Sequence, residues 1–162
     1  MSRLERLYEQ FPALTPDNHR ITSPDDDKYN CVAWVNRDLD GWWEPGFCWP
    51  NDLEVSGAGD LDAYVELFRR WGYEPCDDSA YEPGYLKLGV YAEGGDFLHV
   101  AKQLRDGTWS SKAGVLNDFK HSDLGVLEGS WALQFASVVI VMRRADDGGD
   151  PMTVECGQLI TP

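Results

Sequence analysis

Tyr85-Leu86-Lys87-Leu88-Gly89-Val90-Tyr91-Ala92, then Gly94-Gly95, then Asp96-Phe97-Leu98-His99-Val100-Ala101-Lys102-Gln103-Leu104 is the stretch that decides the fold. Two apolar runs rich in β-formers flank a glycine pair, which predicts strands over 85–92 and 96–104 joined by a tight turn. Arg105-Asp106-Gly107 is a second hairpin turn, with glycine where a positive φ is needed, and it leads into a third strand over 108–113. Residues 114–130 read as loop with one helical turn. Phe135 to Arg144 read as a fully buried central strand.

Upstream, the period changes from two to about 3.6. Leu4, Leu7, Tyr8 and Phe11 share one face of a short helix stopped by Pro12. Residues 12–28 hold three prolines and an acidic triplet and read as loop. Residues 30–39 read as a mostly buried helix, and 41–59 as a long Trp/Pro/Gly segment. Asp60 caps a further helix over 61–71, which ends at Gly72. Helices first and an antiparallel meander second predict an α+β fold, with N-terminal helices packed on a C-terminal antiparallel sheet. One domain over 1–145 is expected, followed by a loose tail over 146–162 with a short strand near 152–156.

The net charge of −14 repels phosphate backbones, so nucleic acid is not expected as a partner. No run of about 18 apolar residues exists, so no membrane span is expected. Residues 1–7 carry acidic groups and lack the apolar core of a secretory signal, which points to the cytoplasm. Cysteines 31, 48, 76 and 156 form no C-x-x-C pair. In a cytoplasmic chain they are expected to be free, with 48, 76 and 156 as small apolar fillers or incidental thiols. They and the three histidines match no zinc spacing, and no cofactor or metal is expected.

Cys31 follows the helix-breaking run Ser23 to Asn30 and opens the apolar run Cys31-Val32-Ala33-Trp34-Val35. A thiol at a helix start faces unpaired N–H groups that favour an anion, so its pKa is expected to fall. His99 opens a strand run and supplies a base for it. Each residue also has a plain reading: Cys31 as a small core residue, His99 as a satisfied half-buried imidazole. Lys112 reads as an anion anchor or a solvated strand lysine, and His121 as a substrate contact or a turn cap. The Trp42, Trp43 and Trp49 loop reads as a binding platform or a packed lid.

A cysteine at a helix start and a histidine on a later strand resemble the papain-like NlpC/P60 and CHAP class of cysteine hydrolases. Asn30-Cys31 is similar to the pair at the nucleophile of that class, and His99-Val100-Ala101 to its base strand. The resemblance implies a papain-like fold and a third polar residue on the next strand to orient the histidine. That class usually has His, Asn, Gln or Asp there. This chain offers Ser110 or Ser111, with Asn117, Asp118 or His121 farther on. Asn30-Cys31-Val32-Ala33-Trp34, Trp43, Trp49-Pro50, Gly72-Tyr73-Glu74, Lys87, His99 to Leu104, Asp106 to Lys112 and Asp118 to His121 also resemble, over most of the chain, a bacterial family of unassigned activity.

The reading that follows is a cysteine hydrolase or acyltransferase acting on a peptide-like or small acyl substrate through an amide, isopeptide or thioester bond. Cys31, His99 and Ser111 are its catalytic candidates. Tyr29, Asn30, Trp43, Trp49, Trp109, Lys112 and His121 are its substrate-binding candidates. The alternative is a non-catalytic binding or immunity-type module on the same fold.

Overall fold

The computed structural model describes residues 2–57, 59–131 and 134–146; Cys156 and the expected strand near 152–156 lie outside them. Helix α1 spans Arg3–Gln10, where Ser2 and Glu5 form a reciprocal capping box. Strand β1 is His19–Ile21, α2 is Cys31–Val35 and α3 is Leu61–Arg70. The Asp60 side chain accepts from the Ala63 N–H to start α3, and Arg69 and Arg70 sit in its last turn, where cations suit the helix end. The remaining strands are β2 Glu74–Cys76, β3 Tyr85–Glu93, β4 Asp96–Gln103, β5 Trp109–Lys112, β6 Asp118–His121, β7 Gly129–Trp131 and β8 Gln134–Ala145, with a 3-10 turn at Leu124–Leu127.

The strands form one antiparallel sheet ordered β1-β6-β5-β4-β3-β8-β2, with β7 added along β8. It curls into a half-barrel carrying a few short helices, which overturns the expected papain-like layer of N-terminal helices on a C-terminal sheet. Two local causes are visible. Residues 12–28, expected as loop, supply β1, which pairs with β6 through His19↔His121 and Ile21↔Phe119. The helix expected over 30–39 stops at Val35, because Arg37 takes a left-handed conformation (φ 57°) and the Asp38 N–H turns back to the Ala33 carbonyl. Nor is β8 a fully buried central strand. It lies next to the short edge strand β2, and Phe135 and Val139 on it are exposed.

Strand alternation sorts the core onto two faces. Leu88 and Val90 of β3, Val100 of β4 and Met142 of β8 pack with α2, α3, Trp43, Trp49 and Trp71. Tyr91 of β3, Ala101 of β4, Trp109 of β5 and Phe119 of β6 pack with Leu7 and Phe11 around α1 and with Leu124 and Leu127 of the 3-10 turn. The register Val90↔Val100 and Tyr91↔His99 assigns His99 to the α1 face. The expected Trp loop is lid-like: Trp43 and Trp49 are buried, and their indole N–H groups donate to the Asp38 carboxylate and the Leu53 carbonyl. Cys48 beside them is disulfide-bonded, against the expectation of free thiols.

Gly89 is required by close approach. A Cβ there would lie 2.6 Å from Cδ2 of Leu124, inside the α1-face core. Gly89→Ala is expected to cost about 1–3 kcal/mol in urea unfolding through overpacking. Adding Leu124→Ala should cost less in the Gly89→Ala background than in the wild type, because it opens the space the methyl needs.

Candidate active site

Asn30 caps α2 and locks its start to the Trp loop. Its side-chain oxygen accepts from the Ala33 and Trp43 N–H groups, and its amide donates to the Trp43 carbonyl. Those bonds fill its oxygen and one amide N–H, so Asn30 positions Cys31 and keeps a second amide N–H. The N–H groups of Cys31, Val32 and Val100 turn toward the Cys31 sulfur, and the Lys112 charge adds a weaker pull toward thiolate. Burial outweighs all of them and pushes the thiol up to about 11. The expected low pKa is therefore reversed: a five-residue helix supplies N–H donors and little dipole, and the sulfur lies in poorly solvated surroundings.

His99 is buried against the rings of Phe11, Tyr91 and Trp131, at 5.6, 5.5 and 6.0 Å between centroids. Strands β4 and β5 pair only at Lys102↔Ser110 and Gln103↔Trp109. Beyond that ladder the strands are no longer paired, and the His99 Nε2 lies 2.9 Å from the Ser111 Oγ. Ser111 Oγ lies 2.8 Å from His121 Nε2, and His121 Nδ1 lies 2.9 Å from the Asp123 carbonyl.

The proton positions follow from the carbonyl end. A carbonyl only accepts, so His121 Nδ1 carries the hydrogen. Burial lowers His121 to about 4 and His99 to about 3, with each neutral at pH 7. The His121 Nε2 is then bare and accepts from the Ser111 hydroxyl. Ser111 in turn accepts from His99 Nε2–H, and His99 Nδ1 is left with a lone pair. Among the described residues, the side-chain nitrogens and oxygens both sealed from solvent and without a partner are Trp71 Nε1 and Gln103 Oε1. His99 Nδ1 makes no hydrogen bond and is not one of them. His99 is among the residues lining a cavity of about 270 Å³, with Cys31, Asn30, Trp42, Glu44 and Tyr64. No hydrogen bond joins Cys31 to His99.

The expected third residue, Ser111, is therefore at His99, and His121 stands behind it as a further member of the chain. The other substrate-binding candidates are placed otherwise. Tyr29 is buried and donates to the Asp118 carboxylate at 2.9 Å. Trp43, Trp49 and Trp109 are core residues, and His121 is sealed with them. Lys112 is fully buried rather than solvated; its ammonium donates to the Asp26 carbonyl at 2.6 Å and the Gly114 carbonyl, over the Tyr29 ring. Trp42, from the loop read as a binding platform or packed lid, lines the cavity together with Glu44, which no motif marked. Among the described residues no three His, Cys, Asp or Glu gather as a metal site, and no helix is long and apolar enough to cross a membrane.

Two depressed imidazoles tie stability to pH. A histidine whose native pKa lies below its unfolded value near 6.5 gives its full contribution above pH 6.5 and loses it as pH falls toward the native value. The window here runs from about 6.5 down to about 3–4. Urea unfolding at pH 7.5 and pH 4.5 should show a smaller acid loss in His121→Gln than in the wild type; an equal loss would mean that His121 is charged in the native protein.

Neither the curated proteins nor the solved structures include a match to this chain, so the resemblance to NlpC/P60 and CHAP hydrolases finds no support there. A family model does match, over residues 20–143, a span that runs from β1 into β8 and holds Cys31, His99, Ser111 and His121. The chain belongs to the family described as domain of unknown function DUF7689.

Proposed function

We propose that the protein is a cysteine-dependent acyl-transfer or hydrolytic enzyme, with Cys31 as nucleophile and His99 Nδ1 as base. One observation carries this reading: the hydrogen-bond chain from Asp123 through His121 and Ser111 leaves the lone pair of His99 on Nδ1, and His99 and Cys31 line the same cavity. Thiol and imidazole values of about 11 and about 3 lie too far apart for a standing thiolate–imidazolium pair. The proton therefore leaves sulfur for Nδ1 as the sulfur–carbon bond forms. The carbonyl oxygen takes up the negative charge, and the N–H groups at the start of α2 face that region. His99 then returns the proton to the leaving group, and water releases the acyl group by the reverse path. The substrate class is a peptide-like or small acyl compound, and nucleic acid is disfavoured by the net charge of −14.

A second reading has its own support: the neutral resting pair suits a binding module in which Cys31 and His99 only shape the cavity. p-Nitrophenyl acetate separates the two. The enzyme reading expects an acetyl group on Cys31 by peptide mapping, none in Cys31→Ala, and a rate lower by about 10²–10⁴ in His99→Asn. The neutral pair persists between about pH 3 and about pH 11, so the acylation rate should be flat from pH 5 to pH 9. Acetylation of Cys76 alone, or an unchanged rate in His99→Asn, would leave the binding module.

A further inference from the structure

A second cavity, of about 280 Å³, lies at the other end of α2. Among the described residues it is lined by five cations and no carboxylate, in a chain where acidic residues outnumber basic ones 28 to 14. Two of the five are compensated: Lys87 pairs with Asp78 and Glu82, and Arg105 with Asp146. Arg37, Lys102 and Arg144 form no ion pair among the described residues.

Two of the remaining three, Lys102 and Arg144, are held in place by neutral groups. The Lys102 ammonium donates to the Trp34 carbonyl at 3.1 Å and lies 3.7 Å from the centre of the Trp34 ring. The Arg144 guanidinium donates to the Trp71 carbonyl at 2.8 Å and sits over Tyr73. Their fields overlap: Arg37 and Arg144 both act on the Tyr73 hydroxyl, and Arg37 joins burial in lowering Lys102 to about 8. Val35, Leu86 and Leu104 supply apolar wall.

Arg37 adds a second, independent sign. It fills the position after the α2 cap, where the chain turns left-handed and glycine is favoured, at φ 57°. An arginine there costs the fold stability that a glycine would recover. The strained position carries a guanidinium to the cavity rim.

From these observations we infer that this cavity binds a small organic anion, a carboxylate or phosphate monoester with an apolar body, through Arg37, Lys102 and Arg144. The site is separate from Cys31 and does not depend on its chemistry. Three uncompensated cations meet the charge, and the aliphatic walls with Tyr73 receive the apolar part.

Calorimetric titration at fixed ionic strength tests this with phenylacetate, phenyl phosphate and inorganic phosphate. At least one of the two organic anions should bind more tightly than inorganic phosphate; the better one assigns carboxylate or phosphate monoester. In Arg37→Gly the affinity should fall about tenfold to a hundredfold, while the thermal midpoint stays level or rises as the strain is relieved. That split separates a binding role from a structural one. No binding of either organic anion, equal binding of inorganic phosphate, or wild-type affinity in Arg37→Gly would overturn the site.

Discussion

His99, Ser111 and His121 lie inside an aromatic shell of Phe11, Phe119 and Trp131, and a polar trio buried there must satisfy its own hydrogen bonds. Most of the α1 side of the molecule answers to that constraint. Ser111 lies within reach of both imidazoles, on a strand whose ladder with β4 is only two residue pairs long. The Asp123 carbonyl, at the start of the 3-10 turn, ends the chain. Because the chain begins at a carbonyl and has no carboxylate, it fixes both tautomers without fixing a charge.

Buried charge elsewhere follows a similar economy. Lys112 is enclosed, yet it meets carbonyls and the face of Tyr29 rather than an ion, and burial lowers its pKa. Its position brings its field to Cys31, but two of its N–H groups already meet the Asp26 and Gly114 carbonyls. Lys87 is equally buried and uses the Asp78 backbone and side chain. At Lys112 the partners are neutral dipoles, so the desolvation of a second ion is avoided; at Lys87 the partly exposed Asp78 and Glu82 carboxylates compensate the charge.

The legible parts of the fold were those with a complete local signal. Helix α3 has its Asp60 cap, an apolar stripe and Gly72; β3, β4 and β5 have alternation and glycine turns. The illegible parts depend on partners. Three residues are too few to show alternation, so β1 and β7 exist only because β6 and β8 offer hydrogen bonds to them. The end of α2 carried no glycine or proline, because Arg37 occupies the position glycine would mark. At the site, Cys31, His99 and Ser111 were readable as residue types at strand and helix starts. The role of His121 was hidden because β6 was not recognised. Its register, Trp109↔His121 beside Ser111↔Phe119, is what points Ser111 and His121 to the same face. The direction of the thiol shift was misread for a different reason: counting N–H donors at a helix start leaves out burial, and here burial is the larger effect.

On the proposed reading, in which Cys31 and His99 react, both groups start neutral. An ion pair in that cavity would have to be desolvated with no carboxylate to share the imidazolium charge. The hydrogen-bond chain offers a weaker substitute. When His99 Nδ1 gains a proton, its Nε2–H becomes a charge-assisted donor to Ser111. The Ser111 hydroxyl polarises toward His121, and His121 Nδ1–H toward the Asp123 carbonyl. Each bond strengthens only while the charge exists, so the stabilisation is realised as the proton moves and not before. On the proposed reading, a chain of neutral dipoles would thus lower the barrier to proton transfer without stabilising the resting ion pair, which is the differential binding that catalysis requires.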